Sequence, residues 1–295
     1  MPIGMQRTNC MKKVILYICI AVFVIAGLVL IITGVSSCND RSKLEDQQES
    51  ITSEMNAAEQ DAEWAEGATT AGIATILEGL SNGSSDVQEG GMIPKYEVLY
   101  EQNDDLIGWL SIEGTKIDYP VMQTPENENY YLNLGFDKKP NENGSLIMDT
   151  DSEVGIGTVS NQYADGVKPC SNLIIHGHTM KSGEMFGDLD LYKDEAYGME
   201  HNIIRFDSLY EEREYELIAV FYSQVFYQHE DVFKYYKFFQ ADTEEEFFDW
   251  YNNIKKMSVY DTGVTAEFGD EFITLSACAY HVEDGRFVVV AKKIK

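Results

Sequence analysis

Basic residues are scarce in this chain: 22 Lys and Arg stand against 50 Asp and Glu, a formal charge of −28 over 295 residues. A phosphate backbone is engaged by neutralising it with Lys and Arg, so nucleic acid is excluded as a partner, and an anionic lipid surface is disfavoured for the same reason. A cationic or amine-bearing partner suits the charge better. Cysteine is scarce as well. Three of the five, Cys10, Cys19 and Cys38, lie in or beside an N-terminal apolar segment, leaving Cys170 and Cys278 for the folded part. That is not a disulfide framework, and no pair has the C-x-x-C spacing of a zinc site. Nothing in the sequence demands a cofactor or a metal. Large apolar residues are few between 39 and 91, so no core is expected there.

What is present begins with an anchor. Residues 14–32 form an uncharged apolar run; nineteen residues at ~1.5 Å rise cover roughly 28 Å, about a bilayer's hydrocarbon core. Arg7, Lys12 and Lys13 precede it, which puts the N-terminus in the cytoplasm and the rest outside the cell membrane. A cleaved signal peptide has a shorter apolar region. Val35-Ser36-Ser37-Cys38 faintly resembles a lipoprotein processing site, with Cys38 as the thiol a lipid would take. The expected organisation is a cytoplasmic tail over 1–13, a single-pass anchor over 14–35, an extracellular stalk over 36–91 and a folded domain over 92–295. Within the stalk, 42–66 could be helical by propensity but lacks a sustained apolar stripe, and 81–85 and 89–91 read as flexible linker.

From Met92 the composition changes. A short helix is expected over 95–103, then strands over 107–112, 116–122, 145–148, 172–176, 203–206, 214–224, 271–278 and 286–294. Eight short strands separated by Gly, Asn and Asp favour a mainly β barrel or sandwich. One long helix interrupts them over 243–256. Thr243 with Glu246 gives a capping box, acids fill the first turn and lysines the last, and Phe247, Trp250, Tyr251 and Ile254 make an apolar face.

Three features carry chemistry. The strand 273–278 ends in the Cys278 thiol, and the strand 285–291 begins with Arg286. A short connection between them places the two residues across from each other on antiparallel strands, with Cβ atoms ~5 Å apart. The strand 172–178 opens at Gly177 and delivers His178 at its end. A thiol is only a few per cent ionised at neutral pH without a base or cation nearby; histidine supplies the proton carrier. Arginine stays protonated and can hold an oxyanion with its fork of donors. Nucleophile, proton carrier and oxyanion stabiliser are the parts for acyl transfer. Taken singly, each has a plainer reading: Cys278 as a strand-end residue, Arg286 as a surface charge, and His176 with His178 as two ligands of a metal lacking a third. His201, His229 and His281 have no local context.

Thr274-Leu275-Ser276-Ala277-Cys278 with Arg286 downstream resembles the signature of sortases, and Leu173-Ile174-Ile175-His176-Gly177-His178 resembles their histidine strand. The similarity runs through Ile107-Gly108-Trp109-Leu110, Ile117-Asp118-Tyr119-Pro120-Val121, Tyr131-Leu132 and Gly144-Ser145-Leu146-Ile147-Met148-Asp149, and covers essentially all of 92–295 in the manner of class B. The resemblance implies an eight-stranded sortase β-barrel, with a short helix before it and a long helix before the cysteine strand. It implies a Gram-positive, membrane-anchored cysteine transpeptidase with Cys278, His178 and Arg286 catalytic and with substrate contacts at Ser276 and Leu132. Its partners would be secreted proteins bearing a C-terminal sorting motif and a peptidoglycan-precursor or pilin amine. A surface cysteine protease using water, or an inert adhesion protein on the same barrel, are the competing readings. Three positions depart from the family pattern: Ala277 stands where Thr is usual, Glu128 occupies an Asn offset, and His176 sits where an aromatic is common.

Overall fold

β-Branched and aromatic residues gather in short runs between turn residues, and those runs become eight strands: β1 (Leu106–Ser111), β2 (Asp118–Met122), β3 (Leu146–Met148), β4 (Asn172–Gly177), β5 (Ile203–Ser208), β6 (Glu214–Gln224), β7 (Phe272–Cys278) and β8 (Gly285–Lys293). The computed structural model describes residues 43–62, 91–279 and 282–295. The strands close into a barrel in the order β1-β2-β3-β4-β7-β8-β6-β5, which leaves no sheet edge to template aggregation. Most neighbours are antiparallel, but β2 with β3 and β4 with β7 run parallel.

Helix α1 covers 43–62, α2 Pro94–Gln102, α3 Glu195–Glu200 and α4 Glu244–Met257. The chain divides into two units, Met1–Gln47 and Gln48–Lys295; the barrel and everything described below lie in the second. That unit starts well before the expected boundary at residue 92. Ile51 is buried in one cluster with Tyr96 and Leu99 of α2 and Leu106 and Trp109 of β1, and Met55 packs against it. Gln48 donates to the Asp118 carbonyl, and Gln102 of α2 donates to Glu54. Part of the segment read as stalk is therefore barrel surface: a few apolar residues at helical spacing suffice when a partner face already exists. The expected anchor at 14–32 lies outside the described residues, among which no helix is long and apolar enough to cross a membrane.

α4 explains why β7 and β8 read as nearly unbroken apolar runs. Its capping box forms as expected, with the Thr243 side chain accepting from the Glu246 amide and Glu246 accepting from the Thr243 amide. Phe247, Trp250 and Ile254 then bury against Phe272 of β7, Val288 and Val290 of β8, and Ile218, Ala219 and Phe221 of β6. Trp250 stacks on Phe238 at 4.4 Å between ring centroids and leans on Phe272 at 5.0 Å. With the barrel interior on one side and α4 on the other, both faces of these strands are dry over most of their length. The cover ends toward Cys278, which is half-buried where its predecessors are fully buried.

Candidate active site

Register brings the chemistry-bearing residues together. Cys278 pairs directly with Arg286 across β7 and β8. On the other side of β7, His176 of β4 pairs with Ser276 and Gly177 with Ala277, so the next residue, His178, follows β4 to the level of Cys278. Neighbouring strands lie about 4.8 Å apart, and alternation turns His176, His178, Ser276 and Cys278 toward one face. Cys278, His178, Arg286, Ser276 and Leu132 all line one cleft of about 330 Å³.

The histidine is held from both sides. Its Nε2 lies 2.8 Å from the Leu132 carbonyl oxygen; a carbonyl can only accept, so Nε2 carries a proton and Nδ1 is the nitrogen left for exchange in the neutral ring. The His178 carbonyl accepts from the Phe186 amide at 2.9 Å, and the neighbouring Thr179 hydroxyl donates to the Cys278 carbonyl at 2.6 Å, fastening the ends of β4 and β7 to each other. Two glycines make room. A Cβ on Gly177 would come within 2.6 Å of Leu146 and 2.7 Å of Phe186; at Gly144, where φ is +63°, it would lie 2.4 Å from the very Leu132 oxygen that holds the imidazole.

Arg286 donates through one terminal nitrogen to the carbonyls of Asp284 and Gly285 at 3.3 and 2.9 Å. Among the described residues no carboxylate pairs with it. In a chain this acidic, that leaves a cation facing the cleft without a fixed counter-charge. In the same cleft, the Tyr235 hydroxyl and the Ser276 hydroxyl share a 2.7 Å hydrogen bond, both residues being buried. Burial pushes the Tyr235 phenol up, so it stays protonated. Cys170 is elsewhere: buried, with its thiol donating to the Asn172 carbonyl and pushed by burial up to about 11.

A thiol, an imidazole and a guanidinium sharing one cleft is a constellation for covalent acyl transfer, and comparison with known proteins agrees. A scan against protein-family models gave no match. Sortase B of Listeria monocytogenes is 31% identical over 202 residues, covering 66% of this chain and 72% of the relative. The chain belongs to the sortase B family. A Staphylococcus aureus sortase B–substrate complex superposes with a TM-score of 0.59 at 27% identity, covering 70% of this chain and 87% of that one. A sortase B complexed with triglycine superposes at 0.58 and 26% identity, covering 80% and 98%. The protein is thus a cysteine transpeptidase built on the sortase barrel.

Two features of this sortase escaped the sequence. Tyr235, which shares a hydrogen bond with Ser276, sits in the connection between β6 and α4 and has no motif of its own. His176 does not join His178 as a paired metal ligand; its Nε2 lies 3.1 Å from Asp149 Oδ2 and 3.9 Å from Glu128 Oε1. These three ligand atoms all lie within 4.8 Å of one another, a set that could hold an ion. Burial pushes the Asp149 carboxyl up, but hydrogen bonds from His176 and the Asp151 amide outweigh it and hold the group below its ordinary range. Glu128 moves the other way, raised first by burial and then by the Asp149 charge. No spacing rule joins residues 128, 149 and 176; only barrel closure does.

Proposed function

We propose that this sortase is held on the outer face of the cell membrane by residues 14–32 and cleaves a C-terminal sorting motif of secreted proteins through a Cys278 thioester. Cys278 passes its thiol proton to His178 and attacks a backbone carbonyl of the motif, and Arg286 donates hydrogen bonds to the oxygen as it becomes negative. His178 gives a proton to the departing amine. An amine of a peptidoglycan precursor or a pilin lysine then attacks the thioester carbon, His178 takes up its proton and returns it to the departing sulfur, and a new amide is formed. Leu132 and Ser276 contact the motif, and the Leu132 carbonyl additionally fixes which imidazole nitrogen exchanges protons. The observation that carries this reading is the shared cleft: His178, the residue after β4, lines it together with Cys278 and Arg286, which pair directly across β7 and β8. The solved sortase B complexes with a substrate and with triglycine support a peptide donor and an amine acceptor as the two substrates.

Mass spectrometry of the full chain incubated with a sorting-peptide library tests it. The expected product is a peptide fragment attached to Cys278 and released as an amide when triglycine or diaminopimelate is added. Release only as the free acid in the presence of either amine would make the protein a protease instead, and a Cys278→Ala protein that still cleaves would refute the assignment. The membrane anchor is tested separately: fractionated cells should hold the protein in the membrane, and deletion of 14–32 should release it.

A further inference from the structure

The two strands that bring His178 and Cys278 together stop pairing just before they reach them. The β4–β7 ladder runs from Asn172–Phe272 to Gly177–Ala277 and ends there. Beyond it the β4 chain turns aside: the His178 carbonyl accepts from the Phe186 amide, and Thr179 pairs with Met185 in an isolated antiparallel bridge. On the other flank of β7 the Ala279 amide donates to the Gly285 carbonyl. That makes 279 and 285 a hydrogen-bonded pair and the adjacent Cys278–Arg286 a non-hydrogen-bonded one. Residues of such a pair turn their backbone groups away from each other. The Cys278 carbonyl therefore faces β4, where the ladder has ended, and there the Thr179 hydroxyl donates to it at 2.6 Å.

We propose that Thr179 is a positioning residue for transpeptidation: its hydroxyl replaces the missing rung between β4 and β7 and holds the nucleophile's backbone in line with the imidazole. This role rests on the transpeptidase reading above and adds a residue that none of its steps uses. His178 lies between Gly177, which pairs with Ala277, and Thr179, whose hydroxyl holds the Cys278 carbonyl. Both chain neighbours of the proton carrier are thus tied to the strand that carries the thiol. The rung matters here because cover is thin: His178, Thr179 and Cys278 are all half-buried, and thinly covered strand ends open most easily. A β-branched side chain is stiff at χ1, so threonine presents its hydroxyl from a nearly fixed position. Thr179 is not among the residues lining the cleft; it acts through Cys278 and not on substrate. Since misplacing reacting groups by about 1 Å can cost a hundredfold in rate, its loss should appear in turnover and not in binding.

The test compares the full chain with Thr179→Val and Thr179→Ser, using a sorting peptide that acylates the unaltered protein and triglycine as the acceptor. Valine keeps the shape and removes the donor. It is expected to lower kcat and the single-turnover rate of thioester formation about tenfold, with KM for the peptide within about twofold. Serine restores the donor and should bring kcat back to within about threefold of the unaltered protein. Lys116 ties the far end of the same loop, donating to the Ser182 carbonyl and to Glu184, each at 2.8 Å. Lys116→Met should therefore lower the melting temperature while leaving kcat within about twofold. Unchanged thioester formation in Thr179→Val, a loss confined to KM, or a loss that serine does not recover overturns the proposal. So does an equal fall of kcat in Lys116→Met, which would make the whole loop responsible and not the hydroxyl. Thermal denaturation checks each variant, and Thr179→Ala, which removes the donor without pressing a methyl on the carbonyl, takes the place of valine if that variant does not fold. Failure of the transpeptidase reading is seen separately, as the absence of a thioester on Cys278 in the unaltered protein.

Discussion

β4 and β7 are parallel neighbours, and their two ends have opposite characters. At the start of the pair, Asn172 is fully buried, donates to the Phe238 carbonyl and accepts from the Thr274 hydroxyl; Cys170 is buried just before it. Every polar group named there has a partner inside the protein. At the finish, His178 and Cys278 are half-buried, Arg286 pairs with no carboxylate among the described residues, and a cleft opens. A buried thiol thus lies just before one end of this strand pair, and a half-buried thiol opens onto a cleft at the other. What separates the thiols is cover: Phe238, Trp250 and α4 close over the first end and stop short of the second.

That contrast can be broken by exchanging the roles of the cysteines. Cys278→Ala is expected to lower transpeptidation by about a thousandfold or more, read as loss of the thioester adduct, because the bond-forming atom is gone. Cys170→Ala should leave turnover within about twofold. Arg286→Ala is the next largest effect, a fall of roughly 10²–10³ in kcat, as for loss of an oxyanion donor; a Lys replacement should recover only part of it, since the forked geometry is lost.

The closed end should answer in stability instead of rate. Asn172→Ala leaves the Phe238 carbonyl and the Thr274 hydroxyl without their partner and is expected to cost about 2–4 kcal/mol, measured by denaturant unfolding. A still larger loss of turnover than of stability in that variant would show that the two ends are not independent. The smallest effect concerns pH. Burial raises the Cys170 thiol from 9.0 to about 11, so the folded state resists ionisation that the unfolded chain accepts. The stability this provides is complete below about pH 9 and is lost as pH rises through 11. Unfolding free energy should therefore decline over that interval by about 1–3 kcal/mol more in the unaltered protein than in Cys170→Ala, the comparison cancelling the tyrosines that titrate nearby.

Much of this was legible before any coordinates. All eight strands lie where alternation and turn residues put them, with ends moved by one or two residues; β6 matches its expected span at both limits. α4 follows from local signals that act within one helical turn, the Thr243–Glu246 box and the charge gradient, and so formed as read. α3 was not expected, because six residues carry too little periodicity to stand out. The docking of α1 was missed for a different reason: Ile51 and Met55 form a meaningful apolar face only beside the pocket that α2 and β1 offer.

By itself, the amino-acid sequence determined the strands, the long helix and the candidate groups Cys278, His178 and Arg286, since a two-residue alternation, a helix cap and a signature such as that ending in Cys278 are all local in the chain. Tertiary structure decided which groups meet. The fold set the β4–β7 register that carries His178 to the level of Cys278, brought the Leu132 carbonyl to the imidazole, and gathered Glu128, Asp149 and His176 in one cleft. Those contacts join residues far apart along the chain, and proximity of that kind is a property of the closed sheet, not of any stretch of sequence within it.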